Sequence, residues 1–273
     1  MKEKRNLKNY ADYLFQKELS KGTISIYARQ AGLLLQYLNG KPITKKTVLE
    51  YKKYLLSQNK KITTTNLYIV AVNSYLKYTG NENCAVKTER LQRNRCVENV
   101  ISMEEYRNIL LCAKTSGHEK YYYIIRVLVF TGIRVSELNF LTVEVLSAGK
   151  FTVGNKGRTR EVYLPDKLIT ELNHYCRGER IQSGVIFRGN RQTAISRTAV
   201  YKMLIRLAEL AGVEKKKAHP HSFRHLFAIT YMRQYSDLTE LADILGHSSL
   251  ETTRIYTATS AEEKRNKLNS LEF

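Results

Sequence analysis

The chain has 273 residues, room for one large domain or two ordinary ones, and its 43% hydrophobic content excludes global disorder. Lys and Arg number 45 against 25 Asp and Glu, a formal net charge of +20. That excess is spread along the chain rather than held in a tail, so it implies a polyanionic partner, nucleic acid above all.

The opening MKEKRNLKNYADYLF lacks the apolar stretch of a signal peptide, and no run of about 18 apolar residues follows it. A membrane role loses support and a cytoplasmic protein is expected. Cys84, Cys96, Cys112 and Cys176 show no C-x-x-C spacing, against a metal finger or a disulfide framework and for reduced thiols.

In chain order, the first eighty residues read as four amphipathic helices. Leu7, Tyr10, Ala11 and Leu14 keep helical spacing, as do Ile24, Tyr27, Ala28, Ala31, Leu34, Leu35 and Leu38. A third helix follows Pro42 and Thr44 and presents Val48, Tyr51 and Leu55. The fourth turns Leu67, Val70, Ala71, Ser74, Tyr75 and Tyr78 inward and stops at Gly80. The polar stretch GNENCAVKTERLQRNRCVENV has no clear period, which places a domain boundary within residues 80–100. It reads equally as a segment crossing DNA or as a solvated linker.

Ser102 and Glu105 form a capping box that opens the second half. HEKYYYIIRVLVFTG is a buried helix ending at Gly132. FTVGNKGRTREVYLP holds two alternating strands around a Gly-Asn-Lys-Gly turn, a hairpin signal. SRTAVYKMLIRLAELAG is amphipathic through Val200, Met203, Leu204, Leu207 and Ala211, and Gly212 ends it. Asp237 and Glu240 start a helix that turns Leu238, Leu241, Ala242 and Leu245 inward. Gly246 stops it, and Ser248 with Glu251 caps a following helix that carries Tyr256. Ser260 and Glu263 cap a last helix whose Leu268 and Leu271 either dock on a neighbouring protomer or fold back.

Metal-dependent nucleases hold Mg²⁺ with clustered carboxylates, yet the only aspartates are Asp12, Asp166, Asp237 and Asp243. No G-x-x-x-x-G-K-[ST] loop occurs, so ATP is not expected either. Attack on a phosphodiester without a metal needs fixed cations, a nucleophile, a proton acceptor and an acid. Candidates occur in order. Arg134 lies in TGIRVSEL, with Glu137 three residues on to orient it. Lys156 is at the hairpin tip in GNKGRTR, with Lys150 and Arg158 as substitutes.

In AHPHSFRHLFA, Pro220 marks a helix start and sets His221 and Arg224 on one face near the N-terminus, where the helix dipole favours a phosphate. His225, four residues from His221, raises a zinc pair that lacks a third ligand; His219 and His225 read as packing or hydrogen-bonding residues. His247 precedes Tyr256 by nine residues. Each feature alone also fits a structural role, and LGHSSLETTRIYT by itself is equally a helix-turn-helix with Tyr256 in its core.

Together the set resembles the tyrosine recombinase (phage integrase) family. TGIRVSEL looks like its first arginine box, HPHSFRH like its H-x-x-R box, and LGHSSLETTRIYT like its L-G-H…Y box, the resemblance covering essentially the whole chain. Phe223 departs from the leucine common in the second box. The resemblance implies a mainly α fold with a small β-hairpin: a helical core-binding, SAM-like domain over residues 1–82, a linker over 83–100 and an α+β catalytic domain over 101–273. It implies that Arg134 and Arg224 clamp the scissile phosphate, His247 hydrogen-bonds it and His221 assists proton transfer. Lys156 would be the acid for the 5′ oxygen and Tyr256 the nucleophile.

It further implies double-stranded DNA with a specific core site as partner, a 3′-phosphotyrosine, a Holliday junction and a tetramer on DNA, with no cofactor and no membrane. With no further domain before the first helix, a compact Xer-like resolvase or small mobile-element integrase is expected. A scaffold that has lost catalysis, or a topoisomerase, is the alternative.

Overall fold

A computed structural model describes residues 2–90, 99–155, 158–189, 193–247, 249–257 and 269–270. The chain divides into two compact units, residues 1–93 and 94–273. No described helix is long and apolar enough to cross a membrane.

The first unit holds α1 (Lys2–Gln16), α2 (Lys21–Leu38), α3 (Lys45–Ser57) and α4 (Ile62–Tyr78). Ser20 caps α2, and Thr44 forms a reciprocal capping box with Thr47 at the start of α3. Tyr10, Leu14, Leu34, Val48, Tyr51 and Leu76 meet in one core, with the Tyr10 and Tyr75 rings edge to face at 5.0 Å. The fourth helix differs from the periodicity reading. Leu67 and Val70 are 42% and 44% exposed, while Ile69, Val72, Tyr75 and Leu76 are buried. Its sequence is apolar on most sides, so which stripe faces the core is settled by the neighbours α2 and α3 and not by spacing.

The polar stretch from residue 83 packs on this unit as far as Glu89. Cys84 and Val86 lie in the core. Two asparagines of α4 hold the backbone beyond it. Asn73 donates to Val86 O at 2.8 Å and accepts from Val86 N at 3.0 Å. Asn66 does the same for Glu89, at 2.9 and 2.8 Å. The match is geometric: seven helical residues advance about 10.5 Å, and three extended residues about 10 Å. Lys52 adds a bond to Lys87 O and an ion pair with Glu89, each at 2.6 Å. Residues 91–98 lie outside the described residues.

The second unit is built on α5 (Met103–Thr115), α6 (Glu119–Thr131), α7 (Val143–Ala148), the strands β1 (Lys150–Asn155) and β2 (Arg158–Tyr163), α8 (Asp166–Gly178), α9 (Arg197–Leu210), α10 (Pro220–Tyr235), α11 (Leu238–Leu245) and α12 (Leu250–Thr253). Ser102 and Glu105 form the expected capping box on α5. Helix α6 is central, with α5, α8, α9 and α10 against it and Ile124, Ile125, Val127 and Leu128 fully buried. Its one charge inside, Arg126, is forked onto Glu171 of α8 and stacked over Phe130 at 4.3 Å.

The hairpin is antiparallel, pairing Phe151 with Val162, Val153 with Arg160 and Asn155 with Arg158. Phe151, Val153 and Val162 are buried on its inner face, and the alternation of β2 sets Arg160 on that same face.

Replacing Asn73 by Ala strips Val86 of both its partners. We expect it to destabilise the first unit by about 2 kcal/mol, read by chemical denaturation of the whole chain.

Candidate active site

Two helices end alike and close together. Gly132, at φ +60°, stops α6 with its N–H on Leu128 O at 3.1 Å. Gly246, at φ +63°, stops α11 in a full Schellman turn: its N–H reaches Asp243 O at 3.0 Å, and that of His247 reaches Ala242 O at 2.9 Å. The Gly-His pair thus has a local cause. Glycine takes the left-handed position, and the next backbone N–H closes the turn and fixes where the imidazole starts.

Helix C-termini expose carbonyls and partial negative charge. Arg224, from the first turns of α10, lies between these two ends. It donates from Nη1 to Gly132 O and from Nη2 to Leu245 O, each at 2.6 Å, and is only 3% exposed. The start of α10 is itself pinned. His219 is the N-cap and its Nδ1 accepts from Ser222 N at 3.1 Å; Pro220 stands in the first turn. Ser222 Oγ accepts from Ile101 N at 2.9 Å and donates to Asn99 O at 3.1 Å.

One buried carboxylate organises the remaining cations. Glu137 accepts from Arg134 N at 2.8 Å and from Arg134 Nη1 at 3.0 Å. It also takes the fork of Arg160, through Nη1 at 3.0 Å and Nη2 at 2.8 Å, while Arg160 Nε donates to Ile244 O at 2.9 Å. Burial alone would raise Glu137, but the bonds from Arg160 and Arg134 outweigh it and hold the carboxyl below its usual range. Burial, then the neighbouring Arg134 and Arg160, bring Arg224 down to about 10, so it stays protonated at neutral pH. Three guanidinium groups therefore stand against one carboxylate. Among the described residues Arg134 is bonded through Nη1 alone on its guanidinium, and its side chain is 25% exposed.

The helix after the Gly-His turn closes the site. Ser249 caps it with Oγ on Glu251 N at 3.2 Å; Ser248, expected as the cap, lies outside the described residues. His247 Nε2 stands 3.2 Å from Arg224 Nη2, and its Nδ1 2.9 Å from Oγ1 of the fully buried Thr253. A guanidinium has only protons to offer, so Nε2 accepts and Nδ1 donates to the threonine. Three residues on, within a 3₁₀ turn, the Tyr256 hydroxyl meets His225 Nδ1 at 2.6 Å. Burial pushes Tyr256 up to about 12 against the pull of Arg224. Burial, then the adjoining cationic and imidazole groups, bring His225 and His247 down to about 4. Both rings are neutral at pH 7. Electrostatically, the site is a partly buried surplus of positive charge beside one hydroxyl, suited to an anion.

Residues 99–263 match the phage integrase family, and residues 7–83 match its N-terminal SAM-like domain. The chain belongs to the phage integrase family. It is a tyrosine recombinase, of the class that breaks and rejoins DNA strands at specific sites. It is similar to the tyrosine recombinase XerA of Pyrococcus furiosus, 28% identical over 279 residues that cover 97% of this chain and 95% of the relative. Among solved structures, that of XerA recombinase aligns with a TM-score of 0.55 at 25% identity over 99% of each chain. That of the XerH site-specific recombinase bound to its difH substrate before cleavage shares the fold, with a TM-score of 0.71 at 22% identity over 91% of this chain and 79% of the other.

Of the residues singled out in the integrase sequence, Arg134, Arg224 and His247 gather around the ends of α6 and α11, and Tyr256, bonded to His225, lies within the electrostatic reach of Arg224. His221 is exposed at the start of α10, its ring 6.3 Å from that of His225. Among the described residues no three His, Cys, Asp or Glu side chains group as metal ligands. Lys156 and the C-terminal Ser260, Glu263, Leu268 and Leu271 lie outside the described residues. Lys150, weighed as a substitute for Lys156, is paired with Glu161 at 2.7 Å on the outer face of the hairpin. Arg160 is unassigned by the sequence, whereas His225, read there as a packing or hydrogen-bonding residue, has Tyr256 as its partner. Arg160 had a signal: a charge at an inward position of an alternating strand must find a buried partner.

A Cβ on Gly246 would stand 2.7 Å from Arg160 Cδ. The Gly246→Ala integrase should therefore lose the Arg160 fork and, for the left-handed backbone alone, about 1–2 kcal/mol, measured by denaturation. A second expectation concerns pH. The unfolded chain protonates His225 and His247 near 6.5, whereas the folded rings resist until about 4. Unfolding therefore takes up protons between these values, and stability falls as pH drops from 6.5 toward 4. Urea midpoints at pH 7 and pH 5 measure this; equal midpoints would contradict two buried neutral rings.

Proposed function

We propose that Tyr256 is the nucleophile and attacks a DNA phosphodiester to release a 5′-hydroxyl and leave a 3′-phosphotyrosine. The observation that carries this reading is the surplus of guanidinium over carboxylate beside the Tyr256 hydroxyl. A phenol pushed up to about 12 is inert at neutral pH unless charge and proton are both managed. Arg134, whose guanidinium is bonded through Nη1 alone among the described residues, and Arg224 supply the charge for the phosphoryl oxygens, so the step needs no metal, and the phosphotyrosine conserves the bond, so resealing needs no ATP. His247 hydrogen-bonds the phosphate once its Nε2 carries a proton, His221 assists proton transfer from the open end of α10 without being the first acceptor of the phenolic proton, and Lys156 protonates the departing 5′ oxygen. Glu137 and Arg160 position Arg134.

The same reading assigns the basic helical domain of residues 1–82, joined through residues 83–100, to binding the DNA core site. Residues 101–273 form the catalytic domain. Two sites brought together by four protomers would exchange strands through a Holliday junction. The work of such an enzyme is on intracellular DNA.

The test is an SDS-resistant adduct on nicked suicide duplexes taken from DNA flanking its own gene, in EDTA and without ATP. Wild type should form an adduct that Tyr256→Phe abolishes. Arg134→Ala should bind the same duplexes nearly as tightly and form adduct about 10²–10³-fold more slowly. Tight binding with no adduct from wild type would move the chain to the class of DNA-binding regulators.

A further inference from the structure

The nucleophile's proton has to go somewhere, and two histidines one helical turn apart on α10 compete for it. The geometry separates them. His225 Nδ1 is 2.6 Å from the Tyr256 hydroxyl and, among the described residues, is the sole hydrogen-bond partner of that oxygen. His221 is exposed, and its ring centre is 6.3 Å from that of His225. We propose that His225, not His221, takes the phenolic proton of Tyr256 as strand cleavage begins. The inference rests on Tyr256 being the nucleophile.

The bond admits the polarity such a step needs. At neutral pH the phenol keeps its proton, and a neutral imidazole with hydrogen on Nε2 offers the Nδ1 lone pair to it. The low proton affinity of His225 reflects burial first, then His221, His219 and Arg224. Transfer therefore accompanies attack and does not precede it. As the Tyr256 O–P bond forms, the proton passes to Nδ1 and the P–O5′ bond breaks; the 5′ oxygen takes its proton from the acid assigned to Lys156. In resealing, the 5′-hydroxyl attacks the phosphorus as its proton returns to the acid assigned to Lys156, the P–O bond to Tyr256 breaks, and His225 gives its proton back to the departing phenol oxygen.

The groups facing His225 are few. His219, His221 and Arg224 come from its own helix, Tyr256 from the 3₁₀ turn, and His247 from the turn after α11. Of these only Tyr256 is bonded to it.

The experiment uses the full chain and the nicked duplex that wild type traps. His225→Ala should form adduct about 10²-fold more slowly or worse, and added imidazole should recover part of the rate. His225→Gln, which can accept the hydrogen bond but not the proton, should stay slow while melting like wild type. A 5′-bridging phosphorothiolate, whose sulfur leaves unprotonated, should not rescue either variant.

Near-wild-type cleavage by His225→Gln would overturn the proposal, leaving His225 a positioning residue at most. Imidazole rescue of His221→Ala but not of His225→Ala would overturn it too, in favour of His221. Absence of any Tyr256-dependent adduct from wild type would instead remove the reading beneath it.

Discussion

A guanidinium buried to 3% exposure and, among the described residues, without a carboxylate of its own is the constraint on which this site turns. Isolated charges are costly to bury, and Arg224 is tolerated because the ends of α6 and α11 aim carbonyls at it. Each end is made by a left-handed glycine in tight contact: a Cβ on Gly132 would fall 2.5 Å from Phe227 of α10, and one on Gly246 2.7 Å from Arg160 of β2. Loss of either helix stop would therefore remove a carbonyl and misplace a cation together. The buried arginine and the packing of three helices are one arrangement.

Glu137 extends that arrangement to the hairpin. It holds Arg134 and Arg160 at once, and Arg160 reaches on to Ile244 near the end of α11. The hairpin, the turn after α6 and the turn before α12 are thus referenced to a single carboxylate. A second carboxylate would make the cluster more comfortable in the free protein, and would also cancel the charge that draws a phosphate. The unneutralised surplus is what a stability argument alone would remove and an anion-binding argument retains.

Local rules carried much of this. Capping at Thr44, Ser102, His219 and Asp237, helix stops at Gly132 and Gly246, and the hairpin follow from short-range chemistry that the sequence displays. The boxes around Arg134, Arg224, His247 and Tyr256 were legible as motifs, and their convergence follows from those same helix ends. What stayed hidden depends on tertiary choice. Helix α4 offers two apolar stripes, and its neighbours select the one with Ile69 and Val72 over the one with Leu67 and Val70. Asn66 and Asn73 look like ordinary polar positions until an extended segment lies alongside them. His225 is similar: its spacing from His221 invites thoughts of a metal pair, while the partner that gives it meaning is thirty-one residues away.

The histidines show how substrate and site complete each other. In the free protein His225 and His247 are neutral, held down by burial and then by surrounding positive and imidazole groups. A phosphodiester entering against Arg134 and Arg224 brings negative charge to the spot from which that repulsion arises, and so raises the proton affinity of both rings. His247 then gains reason to hold a proton on Nε2, where it now only accepts from Arg224. The same negative charge opposes ionisation of the Tyr256 phenol, which Arg224 favours and burial resists, so on the proposed reading its proton has to leave as attack proceeds. On that reading, the two histidines are readied for proton transfer by the arrival of the phosphate they act on, and a site left empty keeps both rings neutral.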